Sequence, residues 1–174
     1  DPYCTACAYC DPIGMRNIIA IPVLGLAAIV QSAIVSQFPL LGGTADLVLV
    51  LVAAWALQEA VTTGFHWALL ASVLISLVSG LPWAIYLACY VGVVFLALAL
   101  HRRVWQVPLL AMFSVTFVGT LALHVLTMAY LDVSGSAVAL GDSLGLITLP
   151  SVLLNMLIAV PVFAITRDLA GWVF

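Results

Sequence analysis

The sequence has almost no charge. Its 174 residues include four arginines, no lysine and seven acids, so 6% are charged and 66% are hydrophobic. A soluble domain carries roughly 25% charged residues, and a chain this poor in them has no means of covering a globule with a water-compatible surface. The net charge of -3, with no basic run, offers nothing to nucleic acid. Glycine-rich phosphate loops, G-x-S-x-G and H-E-x-x-H are all missing, so no catalytic constellation emerges and a non-enzymatic protein is expected. Also missing is the alternation of polar and apolar residues over segments of about ten that marks a transmembrane β-barrel. What remains is grease, with a mean hydropathy of +1.32. A backbone crossing lipid must satisfy its own hydrogen bonds, and helices do so.

A helix needs about 20 apolar residues to cross the hydrocarbon. Six runs meet or approach that length: Ile18 to Phe38, Ala45 to Val61, Phe65 to Gly80, Trp83 to Leu100, Val107 to Leu131 and Ser143 to Thr166. The expected fold class is therefore an all-α integral membrane protein with six transmembrane helices. Between the runs stand Pro39-Leu40-Leu41-Gly42-Gly43, Thr62-Thr63-Gly64, Leu81-Pro82, His101-Arg102-Arg103 and the polar loop from Asp132 to Asp142. Runs two and three are short, and one re-entrant hairpin made from both is the rival topology.

Positive residues in short loops stay cytoplasmic. With six spans, Arg16, Arg102, Arg103 and Arg167 share one side, which places both termini in the cytoplasm. Five spans would put Arg16 opposite Arg167. The run after Met15-Arg16-Asn17 exceeds the roughly 7–15 apolar residues of a signal peptide, and it reads as a retained helix. Residues 1–14 form a cysteine-containing tail and residues 15–174 the six-helix domain.

That tail reads DPYCTACAYCDP, with Cys4, Cys7 and Cys10 at even spacing. On the cytoplasmic side thiols stay reduced, which disfavours a disulfide frame. The spacing fits the first three positions of the bacterial ferredoxin run C-x2-C-x2-C-x3-C-P, but the fourth falls on Gly14. Zinc also wants four ligands. An iron-sulfur cluster or zinc at Cys4, Cys7 and Cys10 thus needs a ligand such as Asp11 or a partner's side chain. The alternative is three small hydrophobes that pack.

Polar groups at bilayer depth are expensive and mark function or helix–helix bonds. Gln31, His124 and Asn155 are expected there, lining a cavity or bonding helix to helix. Asp46 opens the second helix near the outer face, placed to cap it and to favour its positive dipole end. Gln58, Glu59 and His66 fall near the inner end. Ser72, Ser76 and Gly80 recur every four residues, a small-residue stripe that lets two helix backbones approach, within this chain or on a partner. Gly25 with Ala28 and Ser32, and Ala88 with Gly92, offer weaker versions. Pro22, Pro108, Pro150 and Pro161 predict kinks. Trp67, Trp83, Trp105 and Trp172 are expected at the membrane interfaces, with Trp55 packed deeper.

Several stretches together resemble the rod shape-determining protein MreD family. They are Met15-Arg16-Asn17-Ile18 with Gln31-Ser32, Pro39 to Leu47, Leu77-Val78-Ser79-Gly80-Leu81-Pro82, and Leu149 to Asn155 with Pro161. Departures are Ala45, where the family has Pro, Ser76 in place of an acid, and Ala84 in place of Gly. The resemblance implies a fold related to the substrate-binding subunits of energy-coupling-factor transporters. It also implies a bacterial inner-membrane scaffold that docks transmembrane helices of partners, foremost MreC, a single-span protein, in the cell-wall elongation complex with MreB, RodA and a transpeptidase. Two other readings stand beside it. One is a transporter substrate-binding subunit, which needs a pocket lined by groups such as Asn155 and His124. The other is an accessory subunit of a redox or photosynthetic membrane complex, using the cysteine tail.

Overall fold

Each apolar run coils into a helix, because a helix satisfies its backbone within the segment. The computed structural model describes residues 12–33, 43–58, 61–103, 108–135 and 144–173, apart from the side chains of 12–18, 61–62, 101–103, 144 and 172–173. The elements are α1 (Pro12–Ala33), α2 (Leu47–Gln58), α3 (Val61–Val78), α4 (Trp83–Arg103) and α5 (Pro108–Val133). A π-helical turn, Leu144–Thr148, then runs into α6 (Leu149–Val173). No β-strand occurs among the described residues. The cysteine tail, with Cys4, Cys7 and Cys10, lies outside them.

Helices consecutive in sequence run in opposite directions. Trp55 of α2 stacks on Trp67 of α3 with ring centroids 4.1 Å apart, which only a chain reversal between them permits. Tyr86 near the start of α4 reaches Ser79 just past α3. The Cys89 thiol of α4 donates to the Gly119 carbonyl of α5, and Asn155 of α6 bonds Thr120 of α5. The end of α1, through Gln31, meets the start of α2. One end of the bundle therefore gathers the start of α2, the α3–α4 turn and the approach to α6. The opposite end gathers the start of α1, the end of α4 and the end of α6, the elements that carry Arg16, Arg102, Arg103 and Arg167.

Three helical stretches are long and apolar enough to cross a membrane: Trp83–Leu100, Pro108–Val133 and Gly145–Gly171. The other apolar helical stretches, Ile19–Ala33, Leu47–Gln58 and Thr63–Val78, are shorter. Around the outside Leu26, Phe95, Leu157 and Ile165 are exposed, as lipid-facing side chains would be.

The second helix departs most from expectation. Read as a run from Ala45 to Val61, it is a helix of 12 residues, about 18 Å long against a hydrocarbon thickness of about 30 Å. Every residue from Val48 to Leu57 is buried, and α2 touches all five other helices. A helix apolar on every side belongs inside, not on a surface. It is the axis of the bundle. Since lipid is as apolar as leucine, packing and internal hydrogen bonds hold it there rather than a drive to leave water.

One further expectation is corrected. Trp67 is fully buried against Trp55 rather than anchored at an interface, while Trp83 is exposed. Along the small-residue stripe Ser72 is buried, but Gly80 lies beyond α3 with nothing within 4 Å of where a Cβ would stand. Ser76 is half-buried, its hydroxyl turned back to the Val73 carbonyl. Gly25 and Gly92 likewise have open space around them.

Candidate functional site

The start of α2 must satisfy its free N–H groups away from water, and three elements supply the acceptors. Asp46 caps the helix, its Oδ1 accepting from the Leu49 N–H at 3.0 Å. Gln31 of α1 accepts from the Val48 N–H through Oε1 at 3.0 Å, and its side chain also bonds the Asp46 carboxylate. The backbone N–H of Asp46 donates to Asn155 Oδ1 at 2.7 Å. Asn155 Nδ2 in turn donates to Thr120 Oγ1 at 3.0 Å, and Thr120 donates to the Thr116 carbonyl at 2.8 Å.

The chain approaches α2 in an extended stretch, residues 43–46, laid against the start of α6. The Thr44 N–H donates to Ser151 Oγ at 3.0 Å, and Ser151 donates to the Ile147 carbonyl at 2.7 Å. Gly43 is required here because a Cβ would stand 2.6 Å from the Ser151 nitrogen and 2.8 Å from the Pro150 carbonyl carbon. Non-helical backbone at membrane depth is tolerated where protein buries it or a cavity borders it. Ser151 and Asn155 meet that condition, and both are almost fully buried.

Through Asn155 the start of α2 is tied to Thr120 of α5 as well as to α6.

Beside this network is a cavity of about 250 Å³, lined by Gln31, Thr44, Ala45, Asp46, Tyr86, Leu123 and His124. His124 Nδ1 lies 3.2 Å from Thr148 Oγ1. The Tyr86 hydroxyl donates to Ser79 Oγ at 2.7 Å, and Ser79 also accepts from the Leu81 N–H. Thr44 is exposed, so the cavity has an open side there.

Of the sequence-derived candidates, the structure brings together Asp46, Asn155, His124 and Gln31. Ser72, Ser76 and Gly80 lie outside this site. Thr44, Tyr86, Thr120 and Ser151 were not singled out as polar residues of a buried site. Their signal was a hydroxyl inside an apolar run, which hydropathy treats as nearly neutral. Among the described residues no group of three or more His, Cys, Asp or Glu is placed to hold a metal ion. Gln58 binds the opposite end of α2 to α6, donating to the Phe163 carbonyl and to Thr166.

Comparison of the chain with protein-family models, with curated proteins and with solved structures finds no match in any of the three.

Proposed function

We propose that this chain is a non-enzymatic scaffold subunit of a bacterial inner-membrane assembly, MreD-like in plan. In this reading six helices cross the bilayer, both termini are cytoplasmic, and the outer faces dock a single-span, MreC-like partner. One observation supports it above others. The stretches that carry the resemblance are scattered along the sequence, yet Gln31, Gly43, Asp46, Ser79, Ser151 and Asn155 converge on the start of α2, directly or through Tyr86. Those residues spend their polar atoms on one another. That is the economy of a shape-holding core rather than of a reaction centre. The placement of all four arginine-bearing segments at one end accords with the positive-inside rule.

Purification of the untagged chain from its own membranes tests this reading. Recovery of a single-span periplasmic coiled-coil protein in fixed ratio is the expected outcome, and recovery of the chain alone under mild extraction overturns it. Topology has a separate check: a membrane-impermeant thiol reagent applied outside intact cells should leave Cys4, Cys7 and Cys10 unlabelled. Cys89 is buried and does not confuse the result.

The cavity beside Asp46 favours a second reading, a substrate-binding subunit. Mass spectrometry of small molecules released from the purified protein tests it. A stoichiometric compound supports it.

A further inference from the structure

The cavity at the start of α2 holds one acid and no basic side chain except the His124 imidazole. Asp46 is the only carboxyl group in its lining. None of the four arginines stands near it, because their segments occupy the far end of the bundle, about one α2 length or roughly 18 Å away. His124 lines the same cavity, but its one hydrogen bond is to Thr148, and no ion pair joins it to Asp46 among the described residues. A carboxylate withdrawn from water without a cation is costly, and such groups usually have a partner.

The Asp46 carboxyl group disfavours an anion as occupant. The N–H groups of Val48 and Leu49, which would cradle it at the helix start, are already given to Gln31 and Asp46. The remaining groups are mostly acceptors. The Tyr86 oxygen has given its proton to Ser79, leaving lone pairs, and the Asp46 carboxylate, though it accepts from the Leu49 N–H, the Val48 N–H and the Gln31 side chain, has about four lone-pair sites in all. A donor-rich guest fits them. The volume of about 250 Å³ equals that of about eight waters at about 30 Å³ each. It is too roomy for a bare alkali ion, and it falls just below the roughly 300 Å³ at which drug-sized pockets begin. Ala45, Leu123 and the Tyr86 ring give it apolar wall, and an aromatic ring also attracts a cation.

We infer that this cavity binds a small organic ammonium ion, with its charged nitrogen on the Asp46 carboxylate and its carbon skeleton against Ala45, Leu123 and Tyr86. The inference deepens the substrate-binding reading, rests on that reading, and does not depend on the scaffold.

Three four-carbon probes of similar size separate the possibilities: n-butylammonium chloride, 1-butanol and sodium butyrate, with sodium chloride as the salt control. Each is titrated against the full chain in lipid nanodiscs, by calorimetry and by thermal unfolding. The matched variants are Asp46→Asn and Asp46→Ser, both good helix caps that remove the charge and keep the fold.

Butylammonium should bind the wild-type protein at least tenfold more tightly than butanol or butyrate, and both variants should lose that preference while unfolding cooperatively. Equal binding of butanol, or tighter binding of butyrate, overturns the cation assignment yet leaves a small-molecule pocket in place. Protection by sodium chloride alone, undiminished ammonium binding in the variants, or no binding of any probe also overturns it.

Discussion

Asn155 Oδ1 accepts the backbone proton of Asp46 at 2.7 Å across 109 residues of sequence. Its Nδ2 holds Thr120 on a third element. One amide thus links α6, the start of α2 and α5 where lipid surrounds the bundle and water cannot substitute. Asn155→Ala leaves a buried N–H without an acceptor, which costs about 1–3 kcal/mol, less if the unfolded state in the bilayer finds other partners. Thermal unfolding in nanodiscs should register that loss. Asn155→Gln should recover only part of it, because the longer side chain cannot reach both partners at once.

Glycine substitutions should separate by what their new methyl meets. Gly43→Ala drives Cβ into the backbone of Pro150 and Ser151, which cannot step aside, so a severe loss of folded protein is expected. Gly119→Ala meets the Val93 side chain at 2.7 Å and should cost about 1–3 kcal/mol by overpacking. Gly92→Ala has open space and should be neutral or stabilising by up to about 1 kcal/mol through helix propensity. Unfolding midpoints of the three variants test the order.

The Trp55–Trp67 stack has both rings fully buried and neither indole nitrogen hydrogen-bonded. Trp67→Ala empties a core site and should cost about 3–5 kcal/mol, with an unfolding midpoint far below that of Trp83→Ala, whose ring is exposed. Trp67→Phe should preserve most of the stability. Equal effects at positions 67 and 83 would remove Trp67 from the core.

Cys89 offers a reporter of packing between α4 and α5. Its thiol is buried and faces the Gly119 carbonyl at 3.5 Å. In a tail-less or Cys4, Cys7, Cys10 to Ser background, maleimide should leave the folded protein unmodified and react fully after denaturation. Rapid labelling of the native protein would show that α4 and α5 part readily.

Much of the helical layout was legible in the sequence, because runs such as Trp83 to Leu100 are apolar throughout and their borders hold Pro, Gly or Arg. Trp83 opens α4 as read, and the predicted Val107 start of α5 falls one residue from Pro108. The path into α2 was not legible. Residues 43–45 are small or weakly polar, and nothing in their hydropathy distinguishes an extended stretch from the first turn of a helix. Trp67 was misplaced for a related reason: nearness to a helix end resembles nearness to an interface until a shorter neighbour draws that end inward. Of the site, Gln31, Asp46, His124 and Asn155 stood out because polar groups are rare in such runs. Thr44, Thr120 and Ser151 did not, since small hydroxyls are routinely absorbed by the turn before them.

The axial helix is synthesised second, yet the side chains that satisfy its approach come from the final helix, with Thr44 awaiting Ser151 and Asp46 awaiting Asn155. A nascent chain emerging from the translocon thus carries a short rod whose start is held by Gln31 and Asp46 alone until the last segment arrives. The entry to α2 is completed only by α6. A chain interrupted before α6 is not five-sixths of a protein but an unclosed intermediate, and membrane proteases would have a ready criterion for removing it.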